Sequence, residues 1–168
     1  MLYDLTNTQF VKMLKNLSGI FDKAAHHAET KKFDVEVMLQ ARLAPDQFNF
    51  IRQIQILCDT AKKCAAQLAG KEAPVHPDNE KTLIELRARV TSVIAYLETF
   101  SARDYVEAPH RRISQPRWEG QYMTGQEFVQ HHAIPNFYFH LTAAYSILRH
   151  NGVDVGKKDF LGAMPLKK

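Results

Sequence analysis

Between Thr8 and Lys31 the apolar residues Phe10, Met13, Leu14, Leu17, Ile20, Phe21, Ala24 and Ala28 recur at steps of three and four. That spacing places them on one face of an α-helix, whereas a strand would scatter them over two faces. A helix with one apolar face must bury it against a neighbour, so the chain is held to a small set of layered architectures. The same period returns from about Asp46, through Phe48, Ile51, Ile54, Leu57, Cys58, Ala61, Ala65 and Leu68, until Gly70 stops it. It returns again from about Asp78 or Asn79, with Leu83, Leu86, Val90, Val93, Ile94 and Leu97 facing inward. A last helix opens on Thr124-Gly-Gln-Glu127, the spacing of a capping box, and runs to about His150, where Asn151-Gly152 end it. Pro135 inside it removes a backbone donor and predicts a bend.

The connections are equally readable. A short helix over 35–43 ends at Pro45, residues 71–77 hold two prolines and form a loop, and 101–123 loses the helical period, with a small hairpin the expected structure. Phe160 and Leu161 of the tail are placed to tuck against the bundle. The expected fold is all-α: a single domain over 1–168, built as a four-helix bundle with a short extra helix and an irregular segment before the last helix. The long third connection leaves room for a crossover.

Composition removes several functions. At 168 residues, 45% hydrophobic and 24% charged, the chain has the balance of an ordinary globular domain with a real core. Its net charge of +4 is spread over separate pairs such as Lys31-Lys32 and Arg111-Arg112. No basic stripe with interleaved aromatics appears, so nucleic acid is not an expected partner. No apolar run approaches membrane-spanning length, and the opening Met-Leu-Tyr-Asp-Leu-Thr does not read as a signal peptide. Cys58 and Cys64 lie six apart on one helix, too far along the rod for a disulfide. A reduced, cytoplasmic protein is the expectation.

Chemistry concentrates in His132-Ala-Ile-Pro-Asn136-Phe-Tyr-Phe-His140. It sets three polar side chains one helical turn apart in an apolar run, and a buried polar row must find partners. Asn136 and His140 would point into the bundle, and Gln55 on the second long helix, with Cys58 and Asp59 beside it, is the residue expected to meet them. Two readings stay open for Gln55, Asn136 and His140. They hydrogen-bond one another as a polar spot in the core, or they hold a divalent ion, nickel or zinc. Amide oxygens are weak ligands for such ions, so the first reading, with no cofactor, is the expectation. His132 extends the row into a pocket but stands about 12 Å along the axis from His140, too far to share an ion. Cys58 reads as core packing rather than a reactive thiol. Trp118, with Arg117 and Tyr122, would form a lid, a dimer contact or an aromatic tucked onto the bundle. No phosphate loop, catalytic triad signature or HExxH motif is present.

These segments carry a resemblance. Tyr3-Asp4-Leu5-Thr6, Arg42-Leu43-Ala44-Pro45-Asp46, Cys58-Asp59-Thr60-Ala61-Lys62, the Pro135-to-His140 run with Ala144-Tyr145, and Arg149 to Gly162 span nearly the whole chain. Together they resemble an uncharacterised family, a domain of unknown function, within the DinB/YfiT-like metalloenzyme superfamily. The resemblance implies a DinB-like four-helix bundle that assembles as a homodimer. It also implies a metal held by one histidine of the second helix and a His-x3-His pair of the last. Position by position the ligands fall at Gln55 (Gln53 if the register slips), Asn136 and His140, so two of three histidines are replaced. The expected function is accessory or small-molecule binding around a degenerate metal site. The alternative is a metal-dependent thiol transferase or hydrolase with His140 as its chief ligand.

Overall fold

A computed structural model describes residues 2–167. Its helices are α1 (Gln9–Lys31), α2 (Glu36–Leu39), α3 (Phe50–Ala69), α4 (Leu83–Leu97), α5 (Gly125–Phe128), α6 (Ile134–His150) and α7 (Lys157–Leu161). α3 packs along both α4 and α6, and α1 packs along α4. Phe10 of α1 stacks on Phe137 of α6, ring centroids 4.1 Å apart, which closes the ring of helices. Around the bundle the order is therefore α1, α4, α3, α6. α1 faces α3, and α4 faces α6, across the diagonal. The diagonal from α4 to α6 is the crossover for which the long third connection left room.

The apolar face expected for α1 is buried at every position. Gly70 ends α3 in the left-handed region (φ +68), and a Cβ there would lie 2.5 Å from the Arg111 guanidinium. Two helix starts fall later than the apolar pattern suggests. α3 begins only after Asn49, whose side chain accepts from the Arg52 amide, so Phe48 lies outside the helix and half-exposed. α4 begins after Thr82, where Thr82 and Glu85 form a capping box, and residues 71–81 stay non-helical. Strong side-chain caps override a hydrophobic period that continues past them.

The last helix opens on the expected box at Thr124 and Glu127. A π-helical turn, Val129–Ala133, then joins α5 to α6, and Pro135 enters in the first turn of α6. In the wider turn the Ile134 amide bonds to the Val129 carbonyl five residues back, just before Pro135, which has no N–H to give. The irregular segment contains the expected hairpin in minimal form, β1 (Arg112–Ile113) antiparallel to β2 (Met123–Thr124). In the tail, Phe160 meets Tyr145 edge-on and its carbonyl accepts from Asn16, while Leu161 remains exposed. Among the described residues no helix is long and apolar enough to cross a membrane.

Candidate functional site

His140 is 6% exposed at the seam between α6 and α3. Its partner is Gln53, two residues before the expected Gln55: His140 Nδ1 lies 2.7 Å from Gln53 Oε1. Gln53 Nε2 donates to the Phe48 carbonyl at 3.1 Å, which fixes the amide orientation, because a carbonyl only accepts. The imidazole Nδ1 must then be the donor, so in the neutral ring the lone pair lies on Nε2. Burial, helped by the charge of Arg52, pushes the His140 pKa down to about 4. The ring is uncharged at neutral pH.

The other members of the expected triad are engaged elsewhere. Asn136 Nδ2 donates to Thr60 Oγ1 at 2.7 Å. Gln55 accepts from Arg52 at 3.1 Å and donates to Glu80 at 2.9 Å, facing the α4 side of α3. Gln55, Asn136 and His140 therefore do not converge as one set. The reason is a helical step of 100° per residue, so a shift of two positions turns a side chain to a different neighbour. Cys58 is fully buried and burial pushes its thiol up to about 12, in keeping with a packing role.

Asp59 belongs to a polar cluster that the apolar pattern did not reveal. Its Oδ1 lies 2.9 Å from Lys62 Nζ and 2.8 Å from an Arg89 amino group, and its Oδ2 lies 2.8 Å from Lys63. Burial works to raise this carboxyl, but hydrogen bonds from Lys63 and Lys62 outweigh it and hold it below the usual range. Arg89, almost wholly buried on α4, also reaches Asp78 and Glu80, each at 2.9 Å. Lys62, equally buried, lies 2.7 Å from His76 Nδ1, and His76 Nε2 lies 3.1 Å from Ser92 Oγ. Burial and the charges of Lys62 and Arg89 keep His76 below its ordinary pKa. The cluster fastens residues 76–80 across α3 and α4. One signal was available for three of the polar residues at these seams. Gln53 stands at core spacing from Phe50 and Leu57, Lys62 from Cys58 and Ala65, Arg89 from Leu86 and Val93, and all six neighbours are buried.

Beside the His140 seam an open cleft of about 400 Å³ lies between α3, the start of the last helix and residues 115–117. Of the residues expected at a pocket, Asp59, His132 and Asn136 line it, whereas Gln55, Cys58 and His140 do not. His132 stacks on Phe128 with centroids 5.3 Å apart and meets Trp118 edge-on at 5.6 Å. Trp118 is thus tucked onto the bundle as a wall for this histidine. Arg117 donates to His132 Nε2, and burial together with the Arg117 charge lowers the histidine pKa.

The metal implied by the resemblance does not fit the donors. At the α3/α6 seam the set is one imidazole, whose Nδ1 is spent on an amide, and one glutamine oxygen. No group of three or more histidine, cysteine, aspartate or glutamate side chains among the described residues is placed to hold an ion.

Helix order and seam together define a DinB-like bundle in which amides occupy two of the positions expected to supply imidazoles. The chain matches the model of the Domain of unknown function (DUF1993) over residues 2–161, and it belongs to that family. It is similar to a crystal structure of a DinB family member protein from Shewanella denitrificans, with a TM-score of 0.97 and 63% sequence identity. The match covers 100% of this chain and 96% of that one. No curated protein matches.

Proposed function

We propose that this protein is a small-molecule-binding DinB-like bundle that works without a bound metal, and that its ligand occupies the cleft between α3 and the last helix. The observation carrying this reading is the position of that cleft. It lies beside the seam to which the resemblance assigns an ion, and Asn136, at one expected ligand position, lines it. Its volume of about 400 Å³ suits a small organic molecule. Thr60, Asn136 and Gln67 supply hydrogen-bonding groups, and Ile56, Pro116 and Phe128 supply apolar wall. A metal-dependent transferase or hydrolase would have to run on the single imidazole of His140, and metal catalysts of this kind are held by three protein ligands.

The test uses untagged protein. Metal analysis is expected to give well under one ion per chain, with thermal stability unchanged by chelation. A screen of small molecules by thermal shift is expected to find stabilising ligands whose effect is lost in Asn136→Leu. A stoichiometric ion lost in His140→Ala would overturn the metal-free reading. The homodimer implied by the resemblance and a reducing, cytoplasmic setting complete the proposal. Two free, buried cysteines support that setting. Light scattering on a gel-filtration peak tests the dimer, and a monomer at micromolar concentration would remove it.

A further inference from the structure

We propose that the ligand of the α3/α6 cleft is a small oxyanion, a carboxylate or phosphate compound, whose anionic group is held by Arg117 together with Lys63. This rests on the cleft being the ligand site and adds the chemical class. The charged groups lining it are Arg52, Lys63 and Arg117 against a single carboxylate, Asp59. That carboxylate is divided among three cations: its Oδ2 pairs with Lys63 at 2.8 Å, while the buried Lys62 and Arg89 hold its Oδ1 from beneath, so the cations stay in excess. Arg52 is answered by Asp78 outside the cleft wall.

Arg117 is different. Among the described residues no carboxylate lies within ion-pair distance of it, and its hydrogen bond goes to His132, a ring held toward its neutral form by burial and by Arg117 itself. A guanidinium presented to a concave site and not paired with a carboxylate offers its remaining N–H donors to a planar or tetrahedral oxyanion. The stack of His132 on Phe128, backed by Trp118, fixes the ring against which Arg117 rests. Such positioning lowers the ordering cost of binding. Asn136 and Gln67, on the same cleft wall, add polar groups for the rest of the molecule.

The experiment measures stabilisation and affinity with inorganic phosphate and with malonate, each against chloride at matched ionic strength. Wild type is compared with Arg117→Gln, Lys63→Gln and the exposed control Arg103→Ala. Phosphate or malonate should stabilise wild type beyond chloride, and whichever is stronger identifies the source of the oxyanion. Arg117→Gln should weaken binding about tenfold or more, since a charge-assisted hydrogen bond is lost. Lys63→Gln should weaken it less and Arg103→Ala not at all. Equal effects of chloride and both oxyanions, or undiminished binding by Arg117→Gln, would overturn the proposal. Uncharged molecules that lose affinity in Asn136→Leu while oxyanions fail would overturn the anion class and leave the cleft standing. Oxyanion binding that is sensitive to Arg103→Ala and not to Arg117→Gln would place the site elsewhere and overturn both.

Discussion

The two seams of α3 handle buried polarity in opposite ways. Toward α6, Gln53 and His140 form a neutral pair: each group facing the other is satisfied, and the amide is tied off on the Phe48 carbonyl. Toward α4, the same helix presents Asp59 and Lys62 to Arg89, Glu80 and Asp78, a cluster of full charges with the His76 ring beside Lys62, and Arg89 Nε is left buried without a partner. The neutral pair gives up little hydration energy and responds to pH only through one imidazole. The ionic cluster depends on every member, because each charge taken from water is compensated only by its partners. One helix thus carries both a switchable neutral contact and a rigid ionic clasp.

The largest expected effect concerns the neutral seam. Converting Gln53 and Asn136 to histidine in one protein supplies the three imidazoles that the superfamily pattern asks for. Zinc affinity should move from negligible to submicromolar, a gain of about 8 kcal/mol or more. Gln55→His with Asn136→His should gain far less, because residue 55 faces Glu80. Titration calorimetry with zinc distinguishes the pairs, and equal affinities would erase the assignment of Gln53 to this seam.

Breaking the ionic seam comes next. Arg89→Met leaves Asp59 and Glu80 short of their shared cation and should destabilise the fold by about 3–5 kcal/mol. Urea unfolding followed by circular dichroism measures it. A loss under 1 kcal/mol would mean the clasp is relaxed by water.

The pH response of His140 is slightly smaller. Its folded pKa, about 4, lies below the ordinary value of 6.5, so between these values the unfolded chain binds more protons. Stability from this group is full above pH 6.5 and lost as pH falls toward 4, by about 3 kcal/mol in total. His140→Gln should flatten that part of the pH–stability curve, and an unchanged slope would separate the ring from the effect. The smallest effect is expected at the cleft edge. Thr60→Val removes the acceptor of Asn136 where water can replace it, costing about 1 kcal/mol or less in the same urea assay.

Much of this was open to reading from residues alone. The apolar stripe of α1, the Gly70 stop, the capping box at Thr124, the hairpin in the irregular segment and the burial of His140 follow from local rules. The candidate site was legible as a region and not as a set of contacts. His132 and Asn136 were placed at a pocket and do line the cleft, but Gln55 was preferred as the partner of His140, and Gln53, the position given for a slipped register, is the residue that meets it. The error has a plain origin. Gln55 was chosen because it lies between Ile51 and Cys58, yet Gln53 stands in the row of Phe50 and Leu57, both fully buried, whereas Ile51 retains some exposure. The ionic clasp stayed hidden because Lys62 and Arg89 carry side chains that ordinarily mark a solvated face.

The amino-acid order alone determined where helices exist, which faces are apolar and where several of them stop, since periodicity and caps act over a few residues. Tertiary structure decided which helices are neighbours, which polar side chain meets which, and that Arg117 stands at the cleft with no carboxylate within ion-pair distance among the described residues. Those outcomes depend on the diagonal connections and on rotations of 100° per residue between packed rods. No local rule carries that information, because the energy of a buried polar group is set by partners that lie far away in the chain.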